Sequence, residues 1–131
     1  VKEWLAREVI LFSGHRNKVA DPEALLNVLA EHPKAVWLHG GAMGFDTQVA
    51  DFAVQQGIVA ITVAPDYKRY GKQAPLIRNC FMVRVADAAV FCYDGRRKGG
   101  TFYTINRARE AELPVIRFLV AYDKGGIRGE D

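Results

Sequence analysis

The chain has 131 residues, half of them apolar and a quarter charged, with a formal net charge of +3. One compact domain with a real core is expected, and a collagen-like chain, a disordered tail or a disulfide-dominated mini-protein is excluded. The mild positive charge permits an anionic partner without demanding one, and no apolar run approaches the roughly 20 residues of a membrane helix.

The first residues, Val1-Lys2-Glu3-Trp4, include neither Met nor a long apolar stretch. No secretion signal is expected, and a trimmed chain or a fragment is. The first expected strand runs from Val9 to Phe12. Asp21-Pro22 then reads as an N-cap followed by a first-turn proline, opening a helix with Leu25, Leu26 and Leu29 on one face and Pro33 past its end. A strand from Ala35 to Leu38 follows. Asp46 is expected to cap a second helix, which carries Val49, Phe52 and Ala53 and stops near Gly57. Val59 to Val63 is the third strand. A third helix begins at Ala74-Pro75, with Ile77, Cys80 and Phe81 as its apolar positions. Ala88 to Cys92 is the fourth strand. The last helix starts near Thr101, carries Ile105 and Ala108, and ends before Pro114; Val115 to Val120 is the last strand.

The strand runs are mostly continuous rather than alternating, as suits strands buried on both faces of a parallel sheet. Regular strand–helix alternation predicts an α/β fold, a Rossmann-like three-layer α/β/α sandwich with a five-stranded parallel sheet in the order 3-2-1-4-5. Residues 1–122 are read as one domain and 123–131 as a flexible, Gly-rich tail. Cys80 and Cys92 read as reduced thiols of a cytoplasmic protein. His15, His32 and His39 show no ligand spacing, so neither a metal nor a cofactor is expected.

In such sheets, ligands bind beyond the carboxyl ends of the strands, where strand order reverses. The four segments there carry glycines, cations and hydroxyls: Ser13-Gly14-His15-Arg16, then His39 to Asp46, then Pro65 to Lys72, then Asp94 to Thr101. The turns at the opposite rim are short and plain. Gly40, Gly41 and Gly44 open one helix, and Gly99 and Gly100 another. Each pair reads alone as a tight turn. Together on one rim they read as a cradle for phosphate, since helix N-termini present free N–H groups. Arg16, Lys68, Arg69, Lys72, Arg78, Arg96, Arg97 and Lys98 add cationic reach in or beside these loops, although Arg96-Arg97-Lys98 taken alone reads as a solvated turn. Tyr67 and Tyr70 are candidates to stack on a base or else half-buried tyrosines. Asp46 and Asp66 are candidate acceptors for ribose hydroxyls. His15 and His39 have no obvious carboxylate partner and read as structural.

These residues form an ordered set. Ser13-Gly14-x-Arg16 is followed by Gly40-Gly41-Ala42-x-Gly44-x-Asp46, then by Pro65-Asp66-x-x-x-Tyr70-Gly71-Lys72. Ala74 to Asn79 with Met82, then Asp87, then Gly95 with Lys98 to Thr101, complete it. The set, covering about Val9 to Val120, resembles the YspA branch, related to YpsA, of the SLOG superfamily. Its relatives include the Lonely Guy (LOG) phosphoribohydrolases and the DprA/Smf proteins. The resemblance implies a Rossmann-like fold and a pocket for a nucleotide or nucleotide-derived ligand. It assigns Ser13, Gly14, Arg16, Gly40, Gly41, Gly44, Asp46, Pro65, Asp66, Tyr67, Tyr70, Lys72, Arg78, Asn79, Gly95, Lys98, Gly99, Gly100 and Thr101 to that pocket. LOG enzymes cleave the N-glycosidic bond with an arginine, resembled by Arg78, and a glutamate. The position matching that glutamate is Thr104, which cannot supply a carboxylate.

The leading reading is therefore a binding module, a sensor for a nucleotide-derived small molecule. The alternative is a nucleoside monophosphate phosphoribohydrolase using Arg78 with Asp66 or Asp46. Single-stranded nucleic-acid binding ranks third, since +3 is small for affinity built on phosphate neutralisation. LOG relatives are commonly dimers, so a homodimer is left open. No membrane partner is expected.

Overall fold

A computed structural model describes residues 7–124. Its centre is an all-parallel sheet of β1 (Val9–Gly14), β3 (Val36–His39), β4 (Ala60–Thr62), β5 (Ala88–Tyr93) and β6 (Val115–Val120), in spatial order β4-β3-β1-β5-β6. Counting only these five strands, that order is the expected 3-2-1-4-5. β1 lies in the middle, with Ile10 opposite Trp37 on one side and Ala88 on the other.

Helices α1 (Pro22–Glu31) and α2 (Phe45–Gln56) cover one face, and α4 (Ala74–Val85) and α5 (Gly100–Glu110) cover the other. Successive strand residues point to opposite faces, so continuous apolar runs feed two cores at once. Ile10, Phe12, Trp37, Val90 and Cys92 meet Leu25, Val28, Val49 and Phe52 on the first face. Leu11, Leu38, Ala89 and Phe91 meet Met82, Val83, Ile105 and Ala108 on the second. Trp37 is stacked between Phe12 and Phe52, with ring centroids 4.1 and 5.3 Å away. Both cysteines are free thiols, and burial pushes the Cys92 thiol up to about 12.

Local signals set the helix ends. The Asp21 side chain accepts a hydrogen bond from the Glu23 N–H at 3.0 Å, with Pro22 in the first turn. Gly57 closes α2 in the left-handed region, at φ 69°. Two sequence expectations change. Gly44, not Asp46, is the N-cap of α2, because the Asp46 carboxylate turns back to N–H groups of the loop before the helix. α4 buries Ala74, Asn79, Met82 and Val83, while Ile77 and Phe81 stay exposed. Apolar residues occur on both sides of this helix, so periodicity alone could not choose its inner face.

A second, antiparallel pair joins β2 (Lys18–Val19) to β7 (Tyr122–Asp123), with Lys18 Nζ 2.6 Å from Asp123 Oδ1. It clamps the segment after β1 to the chain leaving β6. Asp123, expected at the start of a tail, thus takes part in a strand; residues 125–131 of that expected tail lie outside the described residues. Among the described residues no helix is long and apolar enough to cross a membrane.

Candidate ligand site at the carboxyl rim

The carboxyl ends of β1, β3, β4 and β5 each feed a rim segment. Their glycines fall into two groups. A Cβ on Gly14 would lie 2.7 Å from Phe45, one on Gly40 2.5 Å from Arg78 Nη1, and one on Gly44 2.3 Å from the Arg16 carbonyl oxygen. These three glycines let neighbouring loops touch. Gly99 and Gly100 differ: around Gly99 a Cβ would meet nothing within 4 Å, and at Gly100 the nearest atom would be Asn79 Nδ2 at 4.0 Å. Gly71 and Gly95 are open as well, but Gly99 and Gly100 leave their free space at the N-terminus of α5.

That space is part of a cavity of about 410 Å³, within the usual range for small-molecule sites. Of the residues singled out in the sequence, Ser13, Gly14, Arg16 and Asp46 line it from the first two rim segments. Arg78 and Asn79 line it from α4, and Gly99, Gly100 and Thr101 from α5. Gly40, Gly41, Pro65 and Tyr67 line a shallower depression of about 280 Å³. Arg16, Ala42, Pro75 and Arg78 border both, so the two adjoin. Asp66 and Tyr70 belong to a separate depression on the far side of Arg78. Lys72, Gly95 and Lys98 are exposed and line none of these hollows, and Gly44 opens on another between α1 and α2.

Arg78 forms the wall between the hollows. Its Nε donates to Asn79 Oδ1 at 2.7 Å, and Nη1 donates to the carbonyls of Gly40 and Val63, the latter at 3.0 Å. The guanidinium thereby ties α4 to the ends of β3 and β4. Nη2 has no partner among the described residues.

Asp46 is 7% exposed. Its Oδ2 accepts from the N–H groups of Gly40 and Ala42, both at 3.1 Å. Burial pushes its carboxyl up to about 6, against those two bonds and the Arg78 charge. His39 is also buried. Its Nδ1 accepts from the Gly41 N–H, so the ring's other nitrogen, 3.2 Å from Thr62 Oγ1, carries the hydrogen, and burial lowers its pKa.

His15 has the carboxylate partner that sequence could not find. Its Nε2 lies 3.1 Å from Asp94 Oδ1 and 3.2 Å from the Asp94 amide nitrogen. Burial lowers the His15 pKa in spite of that neighbour. Asp94 is also clasped by Arg96, which holds its carboxyl far below the usual carboxylate range. Arg96, one of the rim cations of the sequence, lines the cavity, whereas its neighbours Arg97 and Lys98 do not. His15, Phe12, Asn17, Leu76 and Met82 also line it; Leu76 and Met82 belong to the ordered motif set of the sequence, whereas Phe12 and Asn17 carry no chemical signature there. Asp66 accepts from the Arg69 N–H at 3.1 Å and caps the short helix α3 (Tyr67–Tyr70). Thr104 is fully buried, with its hydroxyl donating to the Gly100 carbonyl at 2.8 Å.

Within the main cavity, several polar groups have no protein partner among the described residues. Asn79 is 9% and Thr101 5% exposed, yet Asn79 Nδ2 and Thr101 Oγ1 make no hydrogen bond. The first N–H groups of α5 are likewise free, since its cap Gly99 offers no side chain. Among the described residues the fully buried side-chain atoms without a partner are Trp37 Nε1 and Arg107 Nε, so the Asn79 and Thr101 groups face the open space of the cavity, within reach of any molecule that enters it.

Fold and cavity together define a class, a Rossmann-like α/β domain with a cleft at the strand-order reversal. The model of the YspA, cpYpsA-related SLOG family matches residues 8–70. The gene 61 protein of Mycobacterium phage D29 is 31% identical over 118 residues, covering 83% of this chain and 94% of that protein. The chain belongs to the YspA, cpYpsA-related SLOG family. SLOG domains bind nucleotide-derived ligands.

Proposed function

We propose that this protein binds a phosphorylated, nucleotide-derived small molecule in the rim cavity and serves as a sensor module for it. One observation carries the reading: Asn79 Nδ2 and the Thr101 hydroxyl, both without a protein partner among the described residues, line one cavity with the first residues of α5, whose opening N–H groups have no side-chain cap. Donors and a positive helix end arranged in this way suit a phosphate. Arg16, at the same cavity, supplies charge, and Arg78, whose Nη2 has no partner among the described residues, a further donor. Tyr67, on the adjoining depression, is positioned to cover a base.

A thermal-shift panel of AMP, IMP, NAD, ADP-ribose, a cytokinin riboside monophosphate and a short single-stranded oligonucleotide tests the reading. A ligand at about 100 times its Kd stabilises by roughly 2.7 kcal/mol, which is several degrees at this size. A shift with one nucleotide class is expected. No shift with any of them would sink the reading.

A second reading, cleavage of the N-glycosidic bond of a nucleoside monophosphate, is favoured by Asp46. Its carboxyl, raised to about 6 within the cavity, suits proton transfer near neutral pH. Release of free base at catalytic turnover would support it; a bound nucleotide recovered intact after long incubation would remove it.

A further inference from the structure

The free hydrogen-bonding groups of the main cavity are unequal in kind. Asn79 Nδ2, Arg78 Nη2 and the first N–H groups of α5 can only donate. The Thr101 hydroxyl can do either. Asp46 can only accept when ionised. Its Oδ2 is filled by the Gly40 and Ala42 N–H groups, whereas Oδ1 takes no hydrogen bond among the described residues. No cation among the described residues lies within ion-pair distance of it, although the Arg78 charge acts on it from farther away. Asp46 is thus a largely buried carboxylate, held through Oδ2, whose Oδ1 is left open to the cavity it lines. A bare phosphate or pyrophosphate cannot satisfy it, since both are anions. It calls for a neutral donor on the ligand, carried at a short distance from the anionic group. A sugar hydroxyl beside a phosphate has that pattern.

We propose that Asp46 Oδ1 accepts a hydrogen bond from a ribose hydroxyl of the ligand, so that the site selects ribose phosphates over their deoxy counterparts. The inference rests on the phosphorylated-ligand reading above. Two backbone N–H groups fix the carboxylate, so it cannot swing aside when the hydroxyl is missing. The deoxy ligand then leaves a buried acceptor stripped of water and unpaired.

The test is calorimetric titration of the whole chain with AMP, 2′-deoxy-AMP and 3′-deoxy-AMP, and in parallel with ribose 5-phosphate and 2-deoxyribose 5-phosphate as base-free probes. Wild type is expected to bind at least one deoxy form about tenfold or more weaker than its ribose parent. In Asp46→Asn the amide oxygen faces the Gly40 and Ala42 N–H groups, which turns an NH2 donor toward the cavity. The gap between ribose and deoxy probes should then shrink to about threefold or less, with phosphate binding retained. Equal wild-type affinity for every ribose and deoxy probe would overturn the Asp46 inference and leave the phosphate reading standing. A wild-type gap that persists in Asp46→Asn would assign selection to another residue. Binding of none of the probes would overturn the phosphate reading, and the inference with it. The wild-type comparison needs no variant to fold.

Discussion

Arg78 packs so closely over Gly40 that a Cβ at position 40 would sit 2.5 Å from Nη1, across 38 residues of sequence. The same Nη1 donates to the Gly40 carbonyl, so the glycine both admits the guanidinium and binds it. Gly40→Ala should push Arg78 from two carbonyls and lower stability by about 1–3 kcal/mol. Urea denaturation measures it; an unchanged midpoint would contradict the packing. Arg78→Ala carries a similar cost, so loss of ligand in that variant must be read beside its stability.

Gly100→Ala should separate binding from folding. The backbone needs no special φ there, and the nearest atom to a new Cβ is Asn79 Nδ2 at 4.0 Å. Stability should change by no more than about 0.5 kcal/mol. The methyl group would intrude on the anion cradle, so the thermal shift produced by a binding nucleotide should fall sharply. A full ligand shift in this variant would place the phosphate elsewhere.

Asp46 should destabilise the free protein at neutral pH. Burial raises its folded pKa from 3.8 to about 6, so the folded state holds a proton that the unfolded state releases in that window. Stability therefore falls as pH rises from about 4 to 6. Asn does not titrate, so Asp46→Asn should be the more stable form by roughly 1–3 kcal/mol at pH 7.5, with the difference fading toward pH 4. Paired denaturation curves at the two pH values check this. A variant less stable than wild type at pH 7.5 would mean that the two backbone bonds and Arg78 outweigh burial.

In the Asp46→Asn background, acid should act through the buried histidines. Burial lowers the pKa of both His15 and His39, so unfolding takes up protons as pH drops below about 6.5. Stability should decline between pH 7 and 5, opposite in sign to the Asp46 effect. A flat profile over that range would show that neither ring gains a proton on unfolding.

Asp66→Ala should leave nucleotide affinity unchanged. Asp66 caps α3 and lines a hollow separated from the main cavity by Arg78. The lost cap should lower stability by about 1 kcal/mol. A large loss of affinity, measured by calorimetry, would join the two hollows into one site.

Much of the fold was legible because its signals are local. Continuous apolar runs at Val9 to Phe12 and Ala88 to Cys92, and the Asp21-Pro22 cap, depend only on neighbours in sequence. The α4 face was not legible, since Ile77 and Phe81 are as apolar as Met82 and Val83. Nor was the β2–β7 pair, in which two-residue strands meet across about a hundred residues. For the candidate site, glycine clusters and cations pointed to the rim where the cavity of about 410 Å³ lies, but not to which of them share it.

The sequence by itself determined the class of this protein: strand runs, helix caps and turn glycines are short-range choices, and their order dictates a parallel sheet with a loaded carboxyl rim. Only the tertiary structure decided what each rim residue does. Asp46 turned from a helix cap into a buried acceptor, Asp66 fell outside the cavity, and His15 acquired Asp94 across 79 residues. Burial and pairing arise from packing between distant segments, and these, not residue type, set which polar groups remain free for a ligand.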